Sequence, residues 1–245
     1  WKYKLNNDIA ICGQGFTTPF TTVSPIVVTN PVANTACRIY LYAEDAYGNI
    51  WFGTDRCLTK YDGIDFTSFT TKNGLSSDVI YLVHFHKRGH LWIGTNNGLD
   101  KFTFNSYGQV DEIKNYGLSD GFRGVECNSR AIYEDEKNNL WIGTTAGPVV
   151  FNAERTSFAP LKYYDTNKRI KPLNVTAYEI IAVHALHIIL VATKEAIVLY
   201  KEGEKIGTAI PFNGKLNYIA RSIAYDAKKQ IFYVFITGTG LCQYD

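Results

Sequence analysis

Apolar residues along this chain come in short bursts, each cut off by polar or glycine-bearing positions. "VIYLVHF" (79–85) is followed by "KRGH", then "LWIGT", a polar pair "NN", and "GLDKF" ending at Phe102. No stretch sustains the spacing of an amphipathic helix. Bursts of this length joined by short polar tips read as antiparallel strands linked by hairpins. The phrase also recurs. "GNIWFGTDRCLTKY" ends at Tyr61, "GHLWIGTNNGLDKF" at Phe102 and "NNLWIGTTAGPVVF" at Phe151. Aligned on Thr54, Thr95 and Thr144, the same frame finds weaker copies at Thr193 and Thr237, and at Cys12 near the start. The intervals are 42, 41, 49, 49 and 44 residues. A period of this size marks a supersecondary unit that cannot bury its apolar face alone. Each unit holds an apolar strand, a turn, the Trp-x-Gly-Thr strand, a tip, a second strand and a looser third. The expectation is therefore an all-β chain, a β-propeller of about six four-stranded antiparallel blades, forming a single domain over residues 1–245.

The repeated residues have expected structural roles. Trp51, Trp92 and Trp141 should pack between blades, the glycine should let strands approach closely, and the threonine hydroxyl should satisfy a backbone group at the turn. An Asp stands nine residues ahead of the anchor at Asp45 and Asp135, with His86 and His184 in the equivalent places; Asp226 lies eleven ahead of Thr237. This reads as a turn residue bonding its own backbone.

From "EDAYGNIWFGT" through "YDGIDFTSFTTKNGLSSDVIYLVHFHKRGHLWIGTNNGLDKF" the chain resembles the two-component regulator propeller repeat. "YGLSDGFRGVECNSRAIYEDEKNNLWIGTTAGPVVFN" is similar to the last blade of many such sensors from Bacteroidetes-type bacteria. The resemblance covers residues 39–152, with only the anchors persisting outside it. It implies an envelope module, periplasmic or extracellular and outer-membrane associated. Such modules sense glycans as part of hybrid kinases, or serve secretion and surface assembly. In the kinases a small β-sandwich would follow Ala153; here "TSFAPLKYYDTNKRIKPLNV" leads into two more blade-like units.

Composition narrows the partners. The formal charge is +2, with no basic block, so no nucleic-acid footprint is present. No apolar run reaches a membrane span; Ile180–Tyr200 is interrupted by two His, a Lys and a Glu. The chain contains no Met, so Trp1 reads as the start of a processed product or of an excerpt from something longer. Five Cys (12, 37, 57, 127 and 242) show no metal-type spacing and no evident disulfide framework.

Catalytic chemistry is hard to assemble. His84 and His86 sit two apart on a strand, on one face, but no third ligand completes a metal site. His184 and His187 fall at turn positions. No nucleophile elbow or phosphate loop occurs, and Asn174 heads a sequon by pattern alone. The expectation is a non-enzyme without metal or cofactor. The hairpin tips and the loops feeding each inner strand should share one face. That face would collect Arg56, Asn96, Asn97, Arg123, Glu126, Asn128 and Arg130, with Phe122 exposed beside them. Planar amides and guanidinium groups suit an oligosaccharide. An envelope protein is the competing partner, within a homodimer or a larger complex.

Overall fold

The computed structural model describes residues 27–30, 35–165, 167–211 and 219–244. The Cys12 anchor and its tip lie outside them. The chain divides into two compact units, Trp1–Asn115 and Tyr116–Asp245. In the first, β1 (Val27–Asn30), β2 (Thr35–Glu44), β3 (Ile50–Thr54), β4 (Leu58–Tyr61) and β5 (Phe66–Phe69) form one antiparallel meander in chain order. A second sheet follows with β6 (Ile80–His86), β7 (His90–Thr95), β8 (Gly98–Phe104) and β9 (Val110–Tyr116).

The second unit opens with β10 (Cys127–Glu134), β11 (Leu140–Thr144), β12 (Val149–Asn152) and β13 (Ser157–Pro160). A short hairpin comes next, β14 (Lys162–Tyr164) and β15 (Ile170–Pro172). Then come β16 (Ala177–Val183), β17 (Ile188–Thr193), β18 (Ala196–Lys201) and β19 (Ile206–Pro211). The described chain closes with β20 (Ala220–Asp226), β21 (Ile231–Ile236) and β22 (Gly240–Tyr244). The chain is all-β, built of propeller blades. Among the described residues the sheets depart from four strands per blade: β1 adds a fifth strand to the first sheet, the last has three, and a parallel Arg130–Glu179 bridge joins two blades of the second unit into one sheet. The "LKYYDTNKRIKPL" stretch forms the β14–β15 hairpin, which runs parallel to β19 and extends that blade.

The anchor threonine staples its hairpin. Thr54, Thr95, Thr144 and Thr193 are fully buried. Each hydroxyl donates to the carbonyl three residues on: Cys57 at 2.9 Å, Gly98 at 3.1 Å, Gly147 at 2.6 Å and Ala196 at 2.7 Å. Each also accepts the N–H two residues on, from Arg56, Asn97, Ala146 and Glu195. In the last sheet the frame moves by one residue. Ala220 pairs with Ile236, as Ile80 pairs with Thr95, so buried Ile236 takes the anchor position and Thr237 is an exposed turn residue. The consequence is testable by urea denaturation. Thr95→Val should cost about 1–2 kcal/mol, because the Asn97 N–H and the Ser76 hydroxyl each lose a hydrogen-bond partner at a buried position. Thr237→Val should stay within about 0.5 kcal/mol.

The Asp ahead of the anchor binds both the turn and the tryptophan. Asp45 Oδ1 accepts the N–H groups of Tyr47 and Asn49, while Oδ2 accepts Asn49 Nδ2 and Trp51 Nε1 at 2.8 Å each. Asp135 repeats this with Lys137, Asn139 and Trp141 Nε1. The tryptophans thereby reach the seams between sheets. Trp51 packs with Ile80, Val83 and Phe102 of the following sheet, its ring edge-on to Phe102. Trp141 meets Ala177, Ile189 and Tyr200 in the same manner. A Cβ on Gly53 would stand 2.8 Å from Ile80, and one on Gly143 2.2 Å from Ala131, so no larger residue fits at these close approaches.

Candidate functional site

Each inner strand carries an irregularity where it meets the hairpin tip. The register shifts just after the residue paired with the anchor: between Ile39 and Leu41, Ile80 and Leu82, Cys127 and Ile132, Ala177 and Glu179, and Ala220 and Ser222. A β-bulge at a strand end re-aims its extra side chain. The bulged residues are Tyr40, Tyr81, the Asn128–Arg130 stretch, Tyr178 and Arg221. The bulge lies at the end of the sheet that holds the hairpin tip. The residue after the anchor donates its N–H to the carbonyl just ahead of the inner strand: Asn96 to Val79, Thr145 to Glu126, Lys194 to Thr176, and Thr237 to Ile219.

In the first unit this end carries Arg56, Asn96 and Asn97 at exposed hairpin tips. Asn97 Nδ2 donates to the Ser76 carbonyl at 3.3 Å, which ties the tip to the incoming loop. Tyr40 and Tyr81, on adjacent inner strands, bring their rings to 5.5 Å. Behind them Asp100 is fully buried and accepts Asn115 Nδ2 and both the N–H and hydroxyl of Ser76. Burial holds its carboxyl above the usual range, and the donors oppose that shift.

In the second unit the stretch 119–130, expected to be one long polar loop, is divided. A single 3-10 turn covers Leu118–Asp120, and from Cys127 the chain is already strand β10, so Asn128 and Arg130 are bulge residues. Phe122, expected to be exposed, is fully buried. Gly121 takes a left-handed conformation that drives Phe122 inward, edge-on to Phe158 at 5.3 Å. Leu75 after Gly74 does the same in the first unit, and the shared Gly-apolar pair was legible as part of the repeat. Arg123 and Arg130 are exposed and Glu126 is half-buried. Asn128 Nδ2 is spent on the Ala177 carbonyl at 2.6 Å, and Glu179 accepts the Ile223 N–H; both satisfy backbone groups of the neighbouring inner strand. Arg221 lies over the Tyr178 ring, 4.5 Å from its centroid. The sequence reading missed Tyr40, Tyr81, Tyr178 and Arg221. Their signal was the recurrent break in alternation, as in "IYL" at both 39–41 and 80–82.

The histidines occupy other places. His86 is buried in the turn position, its Nδ1 accepting the Arg88 N–H at 3.1 Å. His187 contacts Glu202 at 3.0 Å, and His184 at 3.9 Å, at the opposite end of their sheet from the tips. No group of three or more His, Cys, Asp or Glu among the described residues is arranged to hold a metal ion. Cys57 is disulfide-bonded, which spacing did not reveal, whereas Cys127 and Cys242 form no disulfide.

His90 makes a pH prediction. Burial first, then Lys101, His86 and Arg88, hold its imidazole below the ordinary value of 6.5. The unfolded chain takes up the proton more readily, so this contribution is complete above the unfolded value and is lost as pH falls through the imidazole range. Thermal melts from about pH 8 to about pH 5.5 should fall more steeply for the native chain than for His90→Gln. Equal slopes would contradict it.

Comparison with known proteins comes out along the same lines. Residues 35–56, 74–97 and 125–146 match the two-component regulator propeller family. No curated protein matches the chain. Among solved structures, the chain is similar to the extracellular domains of two hybrid two-component systems from B. thetaiotaomicron. One has 18% identity and a TM-score of 0.62, over 96% of this chain and 31% of that one. The other has 17% identity and a TM-score of 0.54, over 90% and 39%. It is also similar to PorZ, a surface component of the type-IX secretion system of Porphyromonas gingivalis: 16% identity, TM-score 0.63, over 93% and 34%. The chain thus spans about a third of the length of these structures. No helix among the described residues is long and apolar enough to cross a membrane.

Proposed function

We propose that this chain, which carries two-component regulator propeller repeats, is a non-enzymatic recognition module of the bacterial cell envelope, a single propeller domain of about six blades. It binds a glycan-type ligand at the hairpin-tip end of its blades, within a larger two-component-type sensor in the periplasm or at the cell surface. The observation that carries this reading is the recurrent bulge. Strand pairing alone would favour an uninterrupted ladder, yet every described inner strand breaks it at the tip end, and each of the five breaks includes a Tyr or an Arg. Aromatic faces with amide and guanidinium donors suit a hydroxyl-rich ring.

Binding of an oligosaccharide panel, followed by calorimetry, tests it. Arg123→Ala or Arg130→Ala should weaken binding by about 1.5–3 kcal/mol while the melting temperature stays nearly unchanged. A ligand seated at the opposite end, near His187 and Glu202, would reject the assignment. The second reading is a scaffold for an envelope protein. It is favoured by Phe235 and Leu241, cross-strand partners on the last sheet that are 48% and 69% exposed. Under it, Leu241→Asp would abolish capture of the partner and leave saccharide binding untouched.

A further inference from the structure

We infer that the tip end of the second unit holds a carboxylate subsite, and that the saccharide it takes is an acidic one bearing a uronate. The inference rests on the glycan reading above and names the ligand class. Three consecutive inner strands supply the residues: Arg130 from the bulge of β10, Tyr178 from that of β16 and Arg221 from that of β20.

The two guanidinium groups are the unusual feature. Arg130 and Arg221 are both exposed, and no ion pair engages either among the described residues. The one carboxylate placed between them, Glu179, is the strand-bridge partner of Arg130, but its Oε2 accepts the Ile223 N–H. That bond ties one of its oxygens to β20 without removing its charge, so the two guanidinium groups and this carboxylate together leave one net positive charge. Arg221 Cζ lies over the Tyr178 ring, 4.5 Å from its centroid. Stacking fixes the plane of a guanidinium while leaving its N–H edges free for a bidentate contact. A lysine could not reproduce this, because an ammonium has no plane to orient.

The same end of the unit provides hydroxyl-compatible neighbours. The tip residue Thr145 is tied by its backbone to Glu126 and Thr176, so the surrounding loops are anchored before a ligand arrives. A uronate presents a carboxylate directly attached to a pyranose ring, and so matches a fork set beside an aromatic side chain. A neutral sugar would leave both guanidinium groups unanswered.

The test uses the whole chain with a panel of galacturonate, glucuronate and iduronate oligosaccharides, each beside its carboxyl-reduced counterpart, which keeps the ring and loses the charge. Titration calorimetry should show at least one uronate binding and its reduced form weaker by about tenfold or more, with affinity falling as salt is raised. Arg221→Ala should lose about tenfold or more, and Arg221→Lys should recover only part of it, both at unchanged melting temperature. Reduced forms binding as well as the uronates would overturn this subsite and leave the glycan reading standing. So would an Arg221→Ala affinity within about twofold of native. Failure of every saccharide to bind would overturn both.

Discussion

Replacing Trp51 by Ala is expected to remove about 3–5 kcal/mol of stability, among the largest effects open to a single substitution here. The indole is fully buried, packs against Phe69, Phe102 and Phe104, and belongs to the cluster joining the first two sheets of its unit. Truncation would leave a void that rigid sheets cannot close, since the neighbouring strands are held in register by their ladders. It would also leave Asp45 Oδ2 short of a donor. Trp141→Ala should behave alike, because Trp141 fills the same position against Tyr200 and bonds Asp135. The measurement is equilibrium denaturation with intrinsic fluorescence. A loss below about 1 kcal/mol at both positions would mean that the seams are not packed as described.

The second large effect comes from an isosteric change, Asp45→Asn. The carboxylate receives four donors, two from each oxygen's side, and sits in a buried turn. An amide can retain only one acceptor oxygen, so its NH2 must face either the backbone N–H pair or the side chains of Asn49 and Trp51. Donor would oppose donor. The expected cost is about 2–4 kcal/mol with almost no change of volume. Asp226→Asn is the comparison, since Asp226 accepts the exposed N–H groups of Lys228 and Lys229 and meets only the exposed Lys229 ammonium, at 3.9 Å, with no tryptophan among these partners. It should cost about 1 kcal/mol or less. Similar losses at the two positions would show that the tryptophan contact contributes little.

The recurrence of Trp-x-Gly-Thr was enough to read the strands, the blades and the buried seams, because each repeated residue satisfies a local requirement. Thr95 closes a hairpin within three residues, and Asp45 closes a turn and reaches a tryptophan six residues on. Such short-range bonds leave a pattern in sequence. Even so, the frame slipped at Thr237. A three-residue tip replaces two there, and Ile236 fills by burial the position that elsewhere needs a hydroxyl.

The candidate site was less legible. Arg56, Asn96 and Asn97 could be assigned to tips because tip residues follow the anchor directly. Phe122 could not be assigned correctly from polarity around it; its burial depends on Gly121 turning the chain toward Phe158, far along the sequence. Tyr178 and Arg221 looked like ordinary members of two separate strands. The sequence by itself determined the strand repeat, its turns and the residues that close them, because those contacts lie within one hairpin. Only the tertiary structure decided which side chains meet between blades, because a bulge's direction depends on the pairing of two strands and on the sheet packed beside them. Arg221 over Tyr178 is such a contact.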